Sequence, residues 1–182
     1  MSNYRRARID GATYFFTVVT GKRREILTLP ESRKALRNAI EDTRKLLPFT
    51  VDVWVLLPEH LHCIWSLPEG DGDFSKRWGM LKAGFSKQMR GVLEEDKQLT
   101  TSREKHRETS LWQRRFWEHV IRDETDFRRH VDYVHYNPVK HGLVERVKDW
   151  PYSTFHKYVE KGVYPANWGD DEVTDSAGGF GE

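Results

Sequence analysis

The sequence predicts an α+β fold built on one four-stranded antiparallel sheet. Three observations predict it. Four segments, 12–20, 49–57, 60–67 and 111–121, are rich in β-branched and aromatic residues. Segments with helical spacing of apolar residues separate the first strand from the second and the third from the fourth. The second and third strands are separated by only Pro58 and Glu59, which makes them an antiparallel hairpin.

Taken in order, "ATYFFTVVT" (12–20) reads as a buried strand, followed by the basic loop "GKRRE". The helix predicted over 28–47 opens with Thr28 and Glu31 in capping-box spacing and Pro30 in its first turn. Leu36, Ala39, Ile40, Thr43 and Leu47 form its stripe. In "HLHCIWSL" (60–67) the period of two sets Leu61, Cys63, Trp65 and Leu67 on one face and His60, His62 and Ile64 on the other. Asp73 is placed to cap a second helix with Phe74, Trp78, Leu81, Phe85 and Met89 in register. Residues 94–110 hold a single large apolar residue, Leu99, and read as an exposed connection. The fourth strand completes β-α-β-β-α-β, the order of a ferredoxin-like sandwich, an architecture that carries no function by itself. An added helix begins at Asp123 or Thr125 and is expected to end at Pro138, since the residue before proline avoids the α region. One of its stripes is Phe127, Val131 and Val134, and the next is Asp126, His130, Tyr133 and Asn137. "DWPYSTFHKYVEKG" holds a short last helix.

These elements make one domain over residues 1–161, with an acidic, glycine-containing tail over 162–182. The tail has five acids and no Lys or Arg, so the chain's net charge of +2 divides into a body of +7 and a tail of −5. A basic body suits a polyanionic partner. One cysteine, Cys63, excludes an internal disulfide and a cysteine-based zinc cluster. No run approaches the roughly 18 apolar residues of a membrane span, and the first ten residues lack the apolar stretch of a signal peptide, so a cytoplasmic protein without membrane contact is expected.

Two groups of residues suit chemistry. Alternate residues of a strand point the same way with Cβ atoms about 6 to 7 Å apart, so both imidazoles of His60 and His62 can reach one divalent ion. Spacing alone also allows two incidental histidines at a sheet edge. Tyr133 and Asn137, at i and i+4, bring a phenol and an amide oxygen to one helix face. The amide is a neutral oxygen ligand for Mg²⁺ or Mn²⁺ beside two nitrogens. Equally, Tyr133 suits a core edge and Asn137 a C-cap before Pro138.

"LLPEHLHCIW" resembles the histidine–hydrophobe–histidine signature of HUH endonucleases, and "HVDYVHYNPVKHGLV" is similar to the nucleophile helix of their single-tyrosine transposases. With "YRRARIDGATYFFTV", "LPEGDGDFSKRW", "LWQRRFWEHVIRDE" and "DWPYSTFHKYV", the likeness covers nearly the whole chain and points to the REP-associated tyrosine transposases of bacteria. The resemblance implies that His60 and His62 bind Mg²⁺ or Mn²⁺, that Tyr133 is the nucleophile, and that Asn137 is the third protein ligand where relatives often carry Gln. It implies DNA cleavage and strand transfer through a 5′-phosphotyrosine, on hairpins of repetitive extragenic palindromic DNA with an adjacent single strand. A monomer is implied for this branch, although other members of the wider family exchange the tyrosine helix within dimers. Arg5, Arg6, Arg8, Lys22, Arg23, Arg24, Lys82, Lys87, Arg114 and Arg115 are the candidates for phosphate contacts. The alternative from another class is a non-catalytic nucleic-acid-binding module of the same topology, with aromatics stacking on bases.

Overall fold

The computed structural model describes residues 8–93 and 111–170. Arg5, Arg6, the 94–110 connection and residues 171–182 of the expected tail lie outside the described residues. The elements are β1 (Thr13–Val19), α1 (Pro30–Leu46), β2 (Thr50–Leu56), β3 (His60–Ser66), α2 (Phe74–Gln88), β4 (Trp117–Val120), α3 (Glu124–Lys140) and α4 (Phe155–Glu160). The strands line up as β2-β3-β1-β4, every neighbouring pair antiparallel, which is the ferredoxin-like order.

Both faces of this sheet are covered, which is why β3 is buried almost along its whole length. On one face Tyr14, Phe16 and Val18 of β1 and Leu61, Cys63 and Trp65 of β3 pack with Leu36 and Ala39 of α1 and Trp78, Leu81 and Phe85 of α2. Trp65 and Trp78 stack with ring centroids 4.2 Å apart. On the other face Phe15, Val53, Val55 and Ile64 meet Val131, Tyr133 and Val134 of α3. The edge of β2 is closed by the chain after α3: Leu56 N–H donates to Tyr152 O, and Thr154 N–H donates to Trp54 O, each at 2.9 Å.

Four boundaries differ from the sequence-based expectation, each for a local reason. Helix α1 is capped by Leu29 with no side-chain hydrogen bond, so the Thr28–Glu31 capping box does not form; Pro30, with φ already helical and no N–H to satisfy, starts the helix. The fourth strand is four residues long: before Trp117 the backbone pairing is limited to an isolated bridge from Trp112 to Thr20 and Gln113 N–H donating to Val19 O, and the polar run Gln113–Arg115 does not continue it. Helix α3, capped by the Asp123 carboxylate accepting from Asp126 N–H at 2.8 Å, runs through Pro138 to Lys140. A proline removes one donor, and burial of Tyr133, Val134, Asn137 and Pro138 outweighs that loss; Asn137 is therefore not a cap, and its carbonyl accepts from His141 N–H at 3.0 Å. Finally, the chain past residue 162 continues as packed structure to residue 170. Tyr164 stacks on Phe155 (5.7 Å) and on Trp168 (4.6 Å), its hydroxyl donates to Asp132, and Asp170 pairs with Lys148 at 3.1 Å. The charge count that set the boundary at 162 passed over these two aromatics.

Candidate active site

The chain enters β3 at His60, and the period of two directs His60, His62 and Ile64 toward the α3 face. The two imidazoles are 2% and 0% exposed, with ring centroids 4.8 Å apart and nearly perpendicular. Because α3 packs across β2 and β3, Tyr133 overhangs the same place. It is 1% exposed, and its ring centre lies 5.3 Å from that of His62. Phe15 of β1 touches both, 5.6 Å from His62 and 5.9 Å from Tyr133. The histidine pair and the tyrosine, 71 residues apart between His62 and Tyr133 in the chain, thus share one cluster.

Each histidine has its Nδ1 engaged. His62 Nδ1 is hydrogen-bonded to Thr17 Oγ1 at 2.9 Å, and His60 Nδ1–H donates to the Glu59 carboxylate at 2.9 Å. That leaves Nε2 as the nitrogen each ring would present to an ion, the arrangement found around metal-ligating histidines. Asn137, wholly buried, lies one helical turn beyond Tyr133 on the same side of α3. Two neutral nitrogens and an amide oxygen, held on two packed elements, fit a divalent cation.

Sequence reasoning passed over two neighbours. Lys140 Nζ lies 5.0 Å above the Tyr133 ring, and the exposed ring of His141 is 5.0 Å from that of His60. Both reach the site because α3 continues past Pro138, where a helix end was expected. A third group lies farther along the same sheet face. His119, Asp126 and His130 offer ligand atoms within 4.8 Å of one another and so could hold a metal ion. Asp126 Oδ2 accepts from Arg122 N–H at 3.0 Å and is hydrogen-bonded to His119 Nε2 at 2.9 Å, and His130 Nδ1–H donates to the Asp126 carbonyl at 2.8 Å. Burial opposes ionisation of Asp126, but the bonds from Arg122 and His119 prevail and hold its carboxyl well below the usual range. Two members, Asp126 and His130, were legible as an i, i+4 pair on the stripe of Tyr133; His119 comes from β4, which spacing along one helix does not reveal.

The basic candidates divide by position. Lys22, Arg23 and Arg24 follow the end of β1 that pairs with His60, and the 111–116 segment carrying exposed Arg114 and Arg115 is tied to the same end through Gly21 N–H to Leu111 O (2.9 Å) and Gln113 N–H to Val19 O (2.9 Å). Lys82 donates to Gln113 O at 2.9 Å and lies over the Phe116 ring. Arg8 stands at the opposite end of β1, beside Asp73, and Lys87 is on α2, across the sheet from Tyr133.

A ferredoxin-like sheet bearing a histidine–hydrophobe–histidine strand beneath a tyrosine-bearing helix is the architecture of the single-tyrosine transposase class. A relative from Escherichia coli (strain K12), "REP-associated tyrosine transposase", is 48% identical over 178 residues, 98% of this chain and 97% of that protein. The chain belongs to the REP-associated tyrosine transposases. A second relative, from Haemophilus influenzae, is 45% identical over 169 residues, 93% of this chain and 94% of its own. The solved "REP associates tyrosine transposase bound to a REP hairpin" superposes with a TM-score of 0.79 at 46% identity, covering 99% of this chain and 98% of the other. No family model matches the chain.

Proposed function

We propose that this transposase is a metal-dependent single-strand DNA endonuclease and strand transferase that acts on hairpin REP-type DNA, with Tyr133 as nucleophile. The observation that carries the reading is the Tyr133 ring 5.3 Å from His62 over a buried histidine pair. The relatives' names and the hairpin bound in the solved relative support the DNA substrate.

An ordinary phenol has a pKa of about 10 and is a weak nucleophile at neutral pH. His60, His62 and Asn137 would hold a Mg²⁺ or Mn²⁺ ion, which when bound polarises a phosphate oxygen and stabilises the leaving 3′ oxygen. Tyr133 Oη attacks phosphorus, the P–O3′ bond breaks, and the phenolic proton is lost as the 3′ oxygen gains one. The products are a 5′-phosphotyrosine and a free 3′-OH. The phosphodiester energy stays in the enzyme–DNA bond, so a second 3′-OH can reverse the step on another strand. Tyr133 packs edge-on against Phe15 at 5.9 Å and the buried stripe of α3 holds the helix on the sheet, so packing would orient the phenol for attack. The docking of α3 on the sheet of its own chain supports action as a monomer.

Incubation with a labelled hairpin carrying a single-strand flank and Mn²⁺ should give a covalent adduct on a denaturing gel. Tyr133→Phe should abolish the adduct while keeping hairpin affinity within about threefold. His60→Ala with His62→Ala should abolish it too. Hairpin binding by the wild type without any adduct identifies the non-catalytic binding module instead. An adduct that survives Tyr133→Phe removes Tyr133 as nucleophile.

A further inference from the structure

We infer that Glu59 is a positioning residue that orients His60 for the metal ion; the inference rests on the metal-binding reading of His60 and His62. Three features of Glu59 distinguish it from a surface carboxylate. Its Oε1 lies 2.9 Å from His60 Nδ1, and the two side chains are 19% and 2% exposed, so the contact is sheltered from water. Its backbone is held in the turn between β2 and β3: the Glu59 carbonyl accepts from Thr20 N–H at 2.8 Å, and the Thr20 hydroxyl, placed between the Glu59 and Arg24 carbonyls at 2.9 and 2.8 Å, shares its one proton between them. Its carboxylate also faces Arg23, whose Nη1 is 3.7 Å from the same oxygen.

The exposed His141 ring packs beside His60 at 5.0 Å. A hydrogen bond from Nδ1–H to a carboxylate selects the tautomer with its lone pair on Nε2 and raises the ligand's basicity. The sister histidine uses Thr17 Oγ1 for the same purpose. A hydroxyl carries no full charge, so His60 is the more electron-rich ligand of the pair. The loop supplying Arg23 is itself held in a costly shape, with Lys22 and Arg23 both left-handed at φ 56° and 50° without glycine. Gly21 N–H bonded to Leu111 and Arg24 N–H bonded to Gly21 O keep that loop closed against the Glu59 turn.

The test compares Mn²⁺ affinity, read from the electron paramagnetic resonance of free Mn²⁺ with no DNA present, for the wild type, Glu59→Ala, Glu59→Gln, and the His60→Ala, His62→Ala double variant. Removing an outer partner of a metal-bound histidine weakens metal binding by about 10- to 100-fold. Glu59→Ala should fall within that range, and Glu59→Gln, which keeps an acceptor oxygen but not the charge, should recover part of the loss. Both variants should bind the hairpin in EDTA as the wild type does, which separates metal positioning from loss of fold. If Glu59→Ala binds Mn²⁺ as tightly as the wild type while the double histidine variant does not, Glu59 has no such role and the histidine site stands. If the double histidine variant keeps wild-type affinity, the histidine site falls, and the role of Glu59 falls with it.

Discussion

At the residue scale, the site depends on side chains whose identity was legible long before their meeting was. His60, His62, Tyr133 and Asn137 were each read from a local period of two or of 3.6, and the structure brings the first three into one cluster. What spacing could not give was the partner set: Glu59 comes from the turn just before His60, and Thr17, Lys140 and His141 are brought in from a neighbouring strand and a helix end by tertiary packing. The basic residues follow the same rule. Ten were candidates by charge, and position in the fold singles out the Lys22–Arg24 loop and the Arg114–Arg115 segment as neighbours of the histidine end of the sheet. Each phosphate that a variant no longer neutralises should reduce the salt dependence of DNA binding by about one unit of slope. Arg114→Ala with Arg115→Ala should therefore lower hairpin affinity across sequences and flatten the plot of log affinity against log salt by up to about two units. Lys87→Ala, on the far face of the sheet, should leave the slope unchanged. Equal slopes for wild type and the Arg114, Arg115 variant would place the DNA elsewhere.

At the scale of elements, the sheet and helices were readable because each carries its own periodicity, whereas the ends were not, because ends are decided by what they touch. Thr28 and Asp123 show this directly. Both occupy capping positions by sequence; only Asp123 makes the bond, accepting from Asp126 N–H at 2.8 Å, while Thr28 lies outside a helix that begins with Pro30. A working N-cap replaced by alanine costs about 1 kcal/mol. Urea unfolding should then show Asp123→Ala destabilised by about that amount and Thr28→Ala by less than about 0.5 kcal/mol. Equal losses in the two variants would contradict the capping difference. The end of α3 bears on the candidate site. Pro138 obeys its usual rule only in part, since the burial of its neighbours holds the last turn against the loss of one donor. That extra turn is what carries Lys140 to the Tyr133 ring.

For the whole molecule, α3 is the element on which everything converges: one side meets the sheet with Tyr133, and another is clasped by the chain that follows it. His135 marks the clasp. It is wholly buried, hydrogen-bonded through Nε2 to Thr154 Oγ1 at 3.0 Å, and packed against Tyr158 at 5.0 Å and Tyr164 at 5.6 Å. Thr154 in turn accepts from Trp54 N–H at 2.9 Å, so His135 joins α3 to β2 through the C-terminal segment. Burial, with a smaller contribution from the charge of His156, lowers its pKa from the usual 6.5 to about 3. The folded state therefore keeps His135 neutral at a pH where the unfolded chain would protonate it. Because the unfolded chain binds the extra proton, stability is full above about pH 6.5 and is lost as pH falls through the window from there toward 3. Between pH 7 and pH 5 that loss amounts to about 2 kcal/mol from this one side chain. Replacing it by glutamine keeps a hydrogen-bonding group for Thr154 and removes the titration. His135→Gln should accordingly be less stable than the wild type at pH 7 yet lose less on acidification, so that urea midpoints for the two proteins converge at pH 5. Parallel decline of the two midpoints would show that the acid sensitivity of the α3 clasp lies in another group.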